Sequence, residues 1–400
     1  MVSNFTGNFT QQEPIPDEAI EAAVQVMRSG RLHRYNVAPG EAGEVALLEQ
    51  EFAQAMGAKY CLAIASGGAA MTTALRAAGV KPGDKVLSNG FTLAPVPGAI
   101  AAVGALPIFV ETTESLTIDL DDLEAKLPQA RFLLLSHMRG HICDMDRLMS
   151  LCDAAGVLVI EDCAHTMGAQ WKGVLSGRHG VMGCYSTQTY KHLNSGEGGF
   201  LIGDDPEMMA RAILLSGSYM LYDRHLAAPG PEVFEGLKLE TPNISSRMDH
   251  LRAAILRPQL KRLDQQCAAW TARYKAVEAE LRGIEGLTVI ERPEAEKFVG
   301  SSIQFLMLDR SPQQIEAYLA NCAARGVELK WFGADEPRAF TSRYDHWAYS
   351  NPAPLPATDR VLAGLLDMRL PLTFTLEDCQ LLGQILAQEA LRLSNIRPSA

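Results

Sequence analysis

Between residues 44 and 205, apolar and polar positions alternate in two different rhythms. Tyr60–Ala65, Lys85–Ser88, Leu106–Val110, Phe132–Leu135 and Val157–Ile160 are short apolar runs, as strands buried on both faces would be. Between them, Val45–Met56, Ala69–Ala78, Pro95–Val103, Asp121–Lys126 and Met145–Ala155 read as helices. Repeated strand-helix-strand order predicts an α/β layer with a large, mostly parallel sheet. Ligands of such sheets gather at the carboxyl ends of the strands.

The second half changes character. Leu260, Leu263, Cys267, Trp270, Tyr274, Val277 and Leu281 recur at spacings of three and four, which predicts one long amphipathic helix ending near Gly283. Its Trp and Tyr are expected to pack in a core or a dimer interface. Strands at Leu287–Ile290, Ser302–Leu308 and Val327–Trp331 follow. A helix opens at Ser311-Pro312-Gln313-Gln314 with capping-box spacing and proline at its first position, and a last helix follows Thr375. The expected division is a large domain over residues 1–255, with an N-terminal arm, and a smaller α+β domain over 256–400. Ser216–Thr241 and Gly333–Pro356 read as long loops, which in compact proteins usually serve function.

Charge narrows the partners. The 400 residues carry 36 basic and 47 acidic side chains, a net charge of −11, which argues against a nucleic acid or an anionic membrane. The first residues show no basic-then-apolar leader, and the longest apolar run, Ala99 to Val110, is too short for a bilayer; a cytoplasmic location is expected. Eight scattered cysteines with no CxxC pair predict neither a disulfide framework nor a zinc ribbon, and no metal site is expected.

Three segments carry candidate chemistry. In Tyr185-Ser186-Thr187-Gln188-Thr189-Tyr190-Lys191-His192-Leu193-Asn194-Ser195-Gly196-Glu197-Gly198-Gly199, a lysine stands in a hydroxyl-rich loop before a glycine cluster. A lysine in a partly desolvated pocket loses its proton easily and can form a Schiff base with a carbonyl. Glu161-Asp162 closes a buried strand, where a carboxylate can pair with a protonated cofactor ring nitrogen. Ala65-Ser66-Gly67-Gly68-Ala69-Ala70-Met71 joins a strand to a helix with small residues, which lets backbone N–H groups approach a phosphate. It is neither a Walker A loop nor a GxGxxG fingerprint.

Together, in this order, the three resemble fold-type-I pyridoxal-phosphate enzymes. SGGAAM, EDCAHTMGA and YSTQTYKHLNSGEGG, with RGHICDM, NISSRMDHLRAAI and RLPL, resemble the DegT/StrS-type sugar aminotransferases from about Gly30 to the C-terminus. The resemblance implies Lys191 as the Schiff-base lysine and Asp162 as partner of the pyridine nitrogen. It puts His165, where the family usually has Gln, near the phenolic oxygen. Ser186 and the backbone of Gly68 and Ala69 would hold the phosphate of pyridoxal 5'-phosphate, and Phe91 would stack on its ring. The family implies a homodimer with shared sites, in which Asn243 or Ser245 reaches the partner's phosphate. The implied reaction moves an amino group from glutamate or glutamine to a keto sugar, nucleotide-linked by family precedent, or a keto cyclitol. The alternatives are a dehydratase or dehydrating aminotransferase on a sugar or cyclic precursor, and a non-catalytic ligand sensor. Three departures stand out: Gly68 replaces the family's usual threonine, Ser245 stands where the family tends to have Asn, and the HxYG segment reads His137-Met138-Arg139-Gly140.

Overall fold

The chain was analysed as a computed structural model, which describes residues 3–394. The first nine strands are β1 (Tyr60–Ile64), β2 (Lys85–Asn89), β3 (Leu106–Val110), β4 (Phe132–Ser136), β5 (Leu158–Asp162), β6 (Gln170–Trp171), β7 (Val174–Leu175), β8 (Met182–Ser186) and β9 (Gly199–Gly203). Seven of them form one sheet in the order β1-β9-β8-β5-β4-β2-β3. All are parallel except β9, which runs antiparallel to both neighbours. The reversal has a simple cause. Residues 187–198 join β8 to β9 without a helical crossover, and such a return between neighbouring strands runs antiparallel. It leaves the Lys191 loop at the carboxyl end of β8, beside the carboxyl ends of β4 and β5.

Helices cover both faces of this sheet. Glu44–Met56 and Met145–Ala155 pack on one side with Leu87, Leu133 and Val159, while Gly67–Ala77, Pro95–Ala102 and Pro206–Ser216 pack on the other with Val86, Leu134 and Ile160. Adjacent strand residues thus feed opposite cores, as the pleat requires. A second sheet, in the order β10 (Thr288–Val289), β12 (Ser302–Leu306), β14 (Leu365–Arg369), β13 (Lys330–Trp331), is wholly antiparallel. Helices Pro312–Ala324 and Leu376–Ser394 pack against it. Between the two sheets, β11 (Glu296–Lys297) pairs with the β6–β7 hairpin.

The long amphipathic segment is two helices, His250–Leu260 and Leu263–Leu281. Its apolar stripe is used within the chain: Leu263, Cys267 and Trp270 belong to the core of the large sheet, while Tyr274, Val277 and Leu281 belong to that of the second. The stripe therefore gives no argument for a dimer face. Near the N-terminus, Phe5 and Phe9 stack edge-on against Phe374, with centroids 4.9 and 5.0 Å away, and the Phe5 N–H donates to Arg325 O. The capping box at Ser311 and Gln314 forms as its spacing predicts. Among the described residues, no helix is long and apolar enough to cross a membrane.

Candidate active site

A cavity of about 690 Å³ opens at the carboxyl ends of the large sheet's strands. Ser66, Gly67 and Gly68 after β1, Leu93 to Val96 after β2, Ser136 ending β4, Asp162 ending β5 and Ser186 ending β8 all line it. Pro337 to Ser342 and Trp347, inside the long loop marked out by the sequence, close it from the opposite side. The other marked loop, Ser216–Thr241, does not line it.

Lys191 is buried in this cavity with Nζ 3.0 Å from His165 Nε2. The loop that carries it folds on itself: the Lys191 N–H donates to Gln188 O, Thr187 and Thr189 N–H donate to Gly198 O and Gly196 O, and the Gln188 N–H donates to Ser186 Oγ. Burial, helped by the cations of Arg139, Arg369 and Lys330 and opposed by Asp162, pulls the lysine amine down to about 7. Burial and the facing Lys191 likewise hold the His165 imidazole well below its usual range. At neutral pH the lysine therefore has a large free-amine fraction, the form that attacks a carbonyl.

The neighbouring acids at the end of β5 face opposite ways. Glu161 is fully buried and accepts from the N–H groups of Gly177, His179 and Gly180 and from His137 Nε2, so it anchors the Gly177–Gly180 turn. Asp162 faces the cavity. Its Oδ2 accepts from Ser136 Oγ at 3.1 Å and its Oδ1 from Ala164 N–H at 3.1 Å. Ser136 is held in turn by Thr92 Oγ1 and by a double hydrogen bond with the Asn89 side chain. Burial raises the Asp162 carboxyl despite these donors and Lys191. Among the described residues no cation forms an ion pair with Asp162, so a protonated ring nitrogen would complement it.

At the glycine turn, Ser66 caps helix Gly67–Ala77 by accepting from the Ala69 N–H at 3.0 Å. The Ala69 N–H is engaged by this cap, while Gly67 and Gly68 line the cavity. The closeness of the turn to β8 and β9 explains its small residues. A Cβ on Gly67 would meet Ser186 Cβ at 2.9 Å, and one on Gly199 would meet the Ser66 carbonyl carbon at 2.7 Å. Gly68 is different, since a Cβ there would meet nothing closer than Ser66 Oγ at 3.8 Å. The space for the family's threonine is present, and the hydroxyl is not.

Phe91 lies away from the cavity wall. Only 1% exposed, it packs edge-on against Phe332 in a cluster with Met138 and Leu306, and Leu93 is the side chain that reaches the cavity wall instead. Asn243 and Ser245 are exposed and do not line this chain's cavity. Asn243 Oδ1 accepts from the Ser245 N–H, and Ser245 Oγ accepts from Arg247. His192, next to the lysine, is tied to Met167 O and Ser301 Oγ. Sequence reasoning gave no role to Ser136, Gln188, Lys330 and Arg369; the visible signals were the altered HxYG segment, which holds Arg139, and the RLPL segment, which opens with Arg369.

A mostly parallel sheet followed by a smaller antiparallel one, with a buried lysine facing a strand-end carboxylate, has the architecture of fold-type-I pyridoxal-phosphate aminotransferases. The solved structure of AtS13 from Actinomadura melliaura superposes with a TM-score of 0.81 at 26% identity, covering 96% of this chain and 99% of that one. The chain belongs to the DegT/DnrJ/EryC1/StrS aminotransferase family, whose model matches residues 14–386. It is 33% identical over 288 residues to the dTDP-3-amino-3,4,6-trideoxy-alpha-D-glucose transaminase of Streptomyces venezuelae, across 70% of this chain and 69% of that protein. It is also 33% identical over 254 residues to the spore coat polysaccharide biosynthesis protein SpsC of Bacillus subtilis, across 62% of this chain and 63% of that protein.

Proposed function

We propose that the protein is a pyridoxal-phosphate-dependent aminotransferase that takes an amino group from glutamate or glutamine and gives it to a keto sugar or keto cyclitol. One observation carries the reading: a buried lysine with a depressed pKa shares a large cavity with a buried carboxylate in no ion pair among the described residues. When bound, pyridoxal phosphate supplies the electron sink that makes the exchange of amine and carbonyl possible.

The residues present fit that cofactor. Lys191 would hold it covalently and, once released, move a proton at Nζ, with His165 Nε2 3.0 Å away to take or return it. Asp162, fixed by Ser136 and Ala164, would keep the ring nitrogen protonated. Gly67, Gly68 and the Ser186 hydroxyl would receive the phosphate at the start of helix Gly67–Ala77, where the helix dipole favours an anion. Leu93, Val96, Met138, Phe340 and Trp347 give the rest of the cavity an apolar wall that excludes water from the reacting atoms. The functional unit is a homodimer in which Asn243 or Ser245, exposed and away from its own chain's cavity, completes the partner's phosphate cradle.

Borohydride reduction followed by peptide mapping tests the assignment. The cofactor should be fixed to Lys191, and Lys191→Ala should lose both the yellow colour and turnover while remaining folded. Labelling of another lysine, or no half-reaction with glutamate or glutamine, would refute the reading.

A further inference from the structure

Next to the main cavity, a smaller one is lined by Leu93, Arg139, His165, Lys191, Ser302 and Arg369 among others. Arg139 reaches it from the turn after β4, where its backbone has the unusual φ of +54°, and Arg369 comes from the end of β14. Lys330, on β13, stands beside them with Nζ 5.4 Å from the centre of the Phe340 ring, and Phe340 lines both cavities. Three cations therefore converge from three separate elements.

Their charges are not balanced. Asp367 is fully buried and pairs with Arg139 at 3.2 Å, with Lys330 Nζ at 4.0 Å. Among the described residues, no carboxylate forms an ion pair with Arg369, whose guanidinium instead lies 3.5 Å from the centre of the Tyr190 ring. The Nε–H of Arg139 is buried without a hydrogen-bond acceptor among the described residues. Two of the three positive groups thus share Asp367, the third lies against an aromatic ring, and Arg139 keeps an unmet donor. Burial, with repulsion from Arg139 and Arg369, lowers the Lys330 amine to about 8. Such a cluster favours an anionic ligand, and guanidinium forks match the planar geometry of a carboxylate.

We infer that Arg139, Lys330 and Arg369 form a carboxylate-binding subsite beside Lys191, so that at least one substrate is held through a carboxylate at this corner of the cavity. The inference rests on the aminotransferase reading, in which donor and acceptor occupy the same cavity in turn. The carboxylate has two sources: the amino-acid donor, or an acceptor that is itself a keto acid, such as a keto sugar acid. The cations are the same for both, and the experiment separates them.

The test uses the cofactor-loaded protein and glutarate, a dicarboxylate that cannot react, measured by calorimetry against the neutral 1,5-pentanediol. Glutarate should bind and pentanediol should not, and glutarate binding should weaken as salt is raised from about 20 to about 200 mM. Arg369→Gln and Lys330→Gln should each weaken glutarate by about tenfold or more, as expected when a hydrogen-bonded charge is lost, and Arg369→Lys should retain part of the affinity. Single-turnover reactions then name the source. A loss against glutamate alone assigns the carboxylate to the donor. A loss against a keto sugar acid, but not against its neutral counterpart, assigns it to the acceptor. Equal binding of glutarate and pentanediol, salt-independent binding, or folded Gln variants with unchanged affinity would overturn the subsite. Failure of borohydride to label Lys191 would instead count against the aminotransferase reading and leave the glutarate result standing.

Discussion

Replacing Lys191 with methionine should stabilise the cofactor-free chain, by an amount that depends on pH in a calculable way. Burial and its cationic neighbours pull the Lys191 amine down to about 7 in the fold, against an ordinary value of 10.5. Between these values the unfolded chain holds a proton that the native chain does not, so wild-type stability rises with pH across the window and is lowest below pH 7. Lys191→Met has no such group. Its advantage should be greatest below pH 7 and should fall by about 1.36 kcal/mol for each pH unit above it. Between pH 7, where the folded lysine is half discharged, and pH 9 the gap between variant and wild type should therefore shrink by roughly 2.3 kcal/mol. Urea unfolding of both stripped proteins at pH 6, 7, 8 and 9 measures the gap, and titrating groups away from Lys191 cancel because both proteins carry them. Parallel stability curves would show that the amine is not discharged by burial and its cationic neighbours, and the free-amine argument would fall with them.

Three further outcomes follow from the same geometry. Asp162→Asn keeps the size and the Ser136 contact but removes the charge, so steady-state turnover should fall by about 10²-fold or more with cofactor retained; near-wild-type rates would deny Asp162 its electrostatic role. Gly68→Thr should be tolerated and tighten cofactor binding in a fluorescence titration, because its Cβ space is open, whereas Gly67→Ala should destabilise by about 1–3 kcal/mol through the clash with Ser186. Equal behaviour of the two glycine variants in that titration and in thermal melts would contradict the packing described. Mixing Lys191→Ala subunits with subunits carrying both Asn243→Ala and Ser245→Ala should restore activity if sites are shared, and no recovery after proven subunit exchange would refute sharing.

The lysine loop and the strand-end acid were legible because each is a continuous local pattern. The sheet was legible for the same reason, but β8 and β14 were not. β8 contains Gly183, whose Cβ would lie 2.7 Å from Gly177 Cα; close packing there requires a residue with little strand preference. β14 reads Leu365-Leu366-Asp367-Met368-Arg369, and its apolar pattern is interrupted by two residues of the cationic corner. Chemistry hid the strand. The place of Phe91 in the sequence, just after a strand, does not tell which side of the turn its ring occupies, and the structure puts it against Phe332. Arg139, Lys330 and Arg369 lie far apart in sequence, and only tertiary structure brings them together.

The aromatic lock between Phe5, Phe9 and Phe374 sets an order of events during synthesis. Strands β1 to β9 lie within residues 60–203, so the large sheet has all its strands once that stretch has left the ribosome. The first ten residues emerge earlier still, yet their aromatic partner and the Arg325 carbonyl come from the last quarter of the chain. At ordinary translation speeds of about 5–20 residues per second, they wait roughly 20–70 s with two phenylalanines exposed. Phe5 and Phe9 are thus made before every strand of the large sheet and can dock only after the sheet is complete.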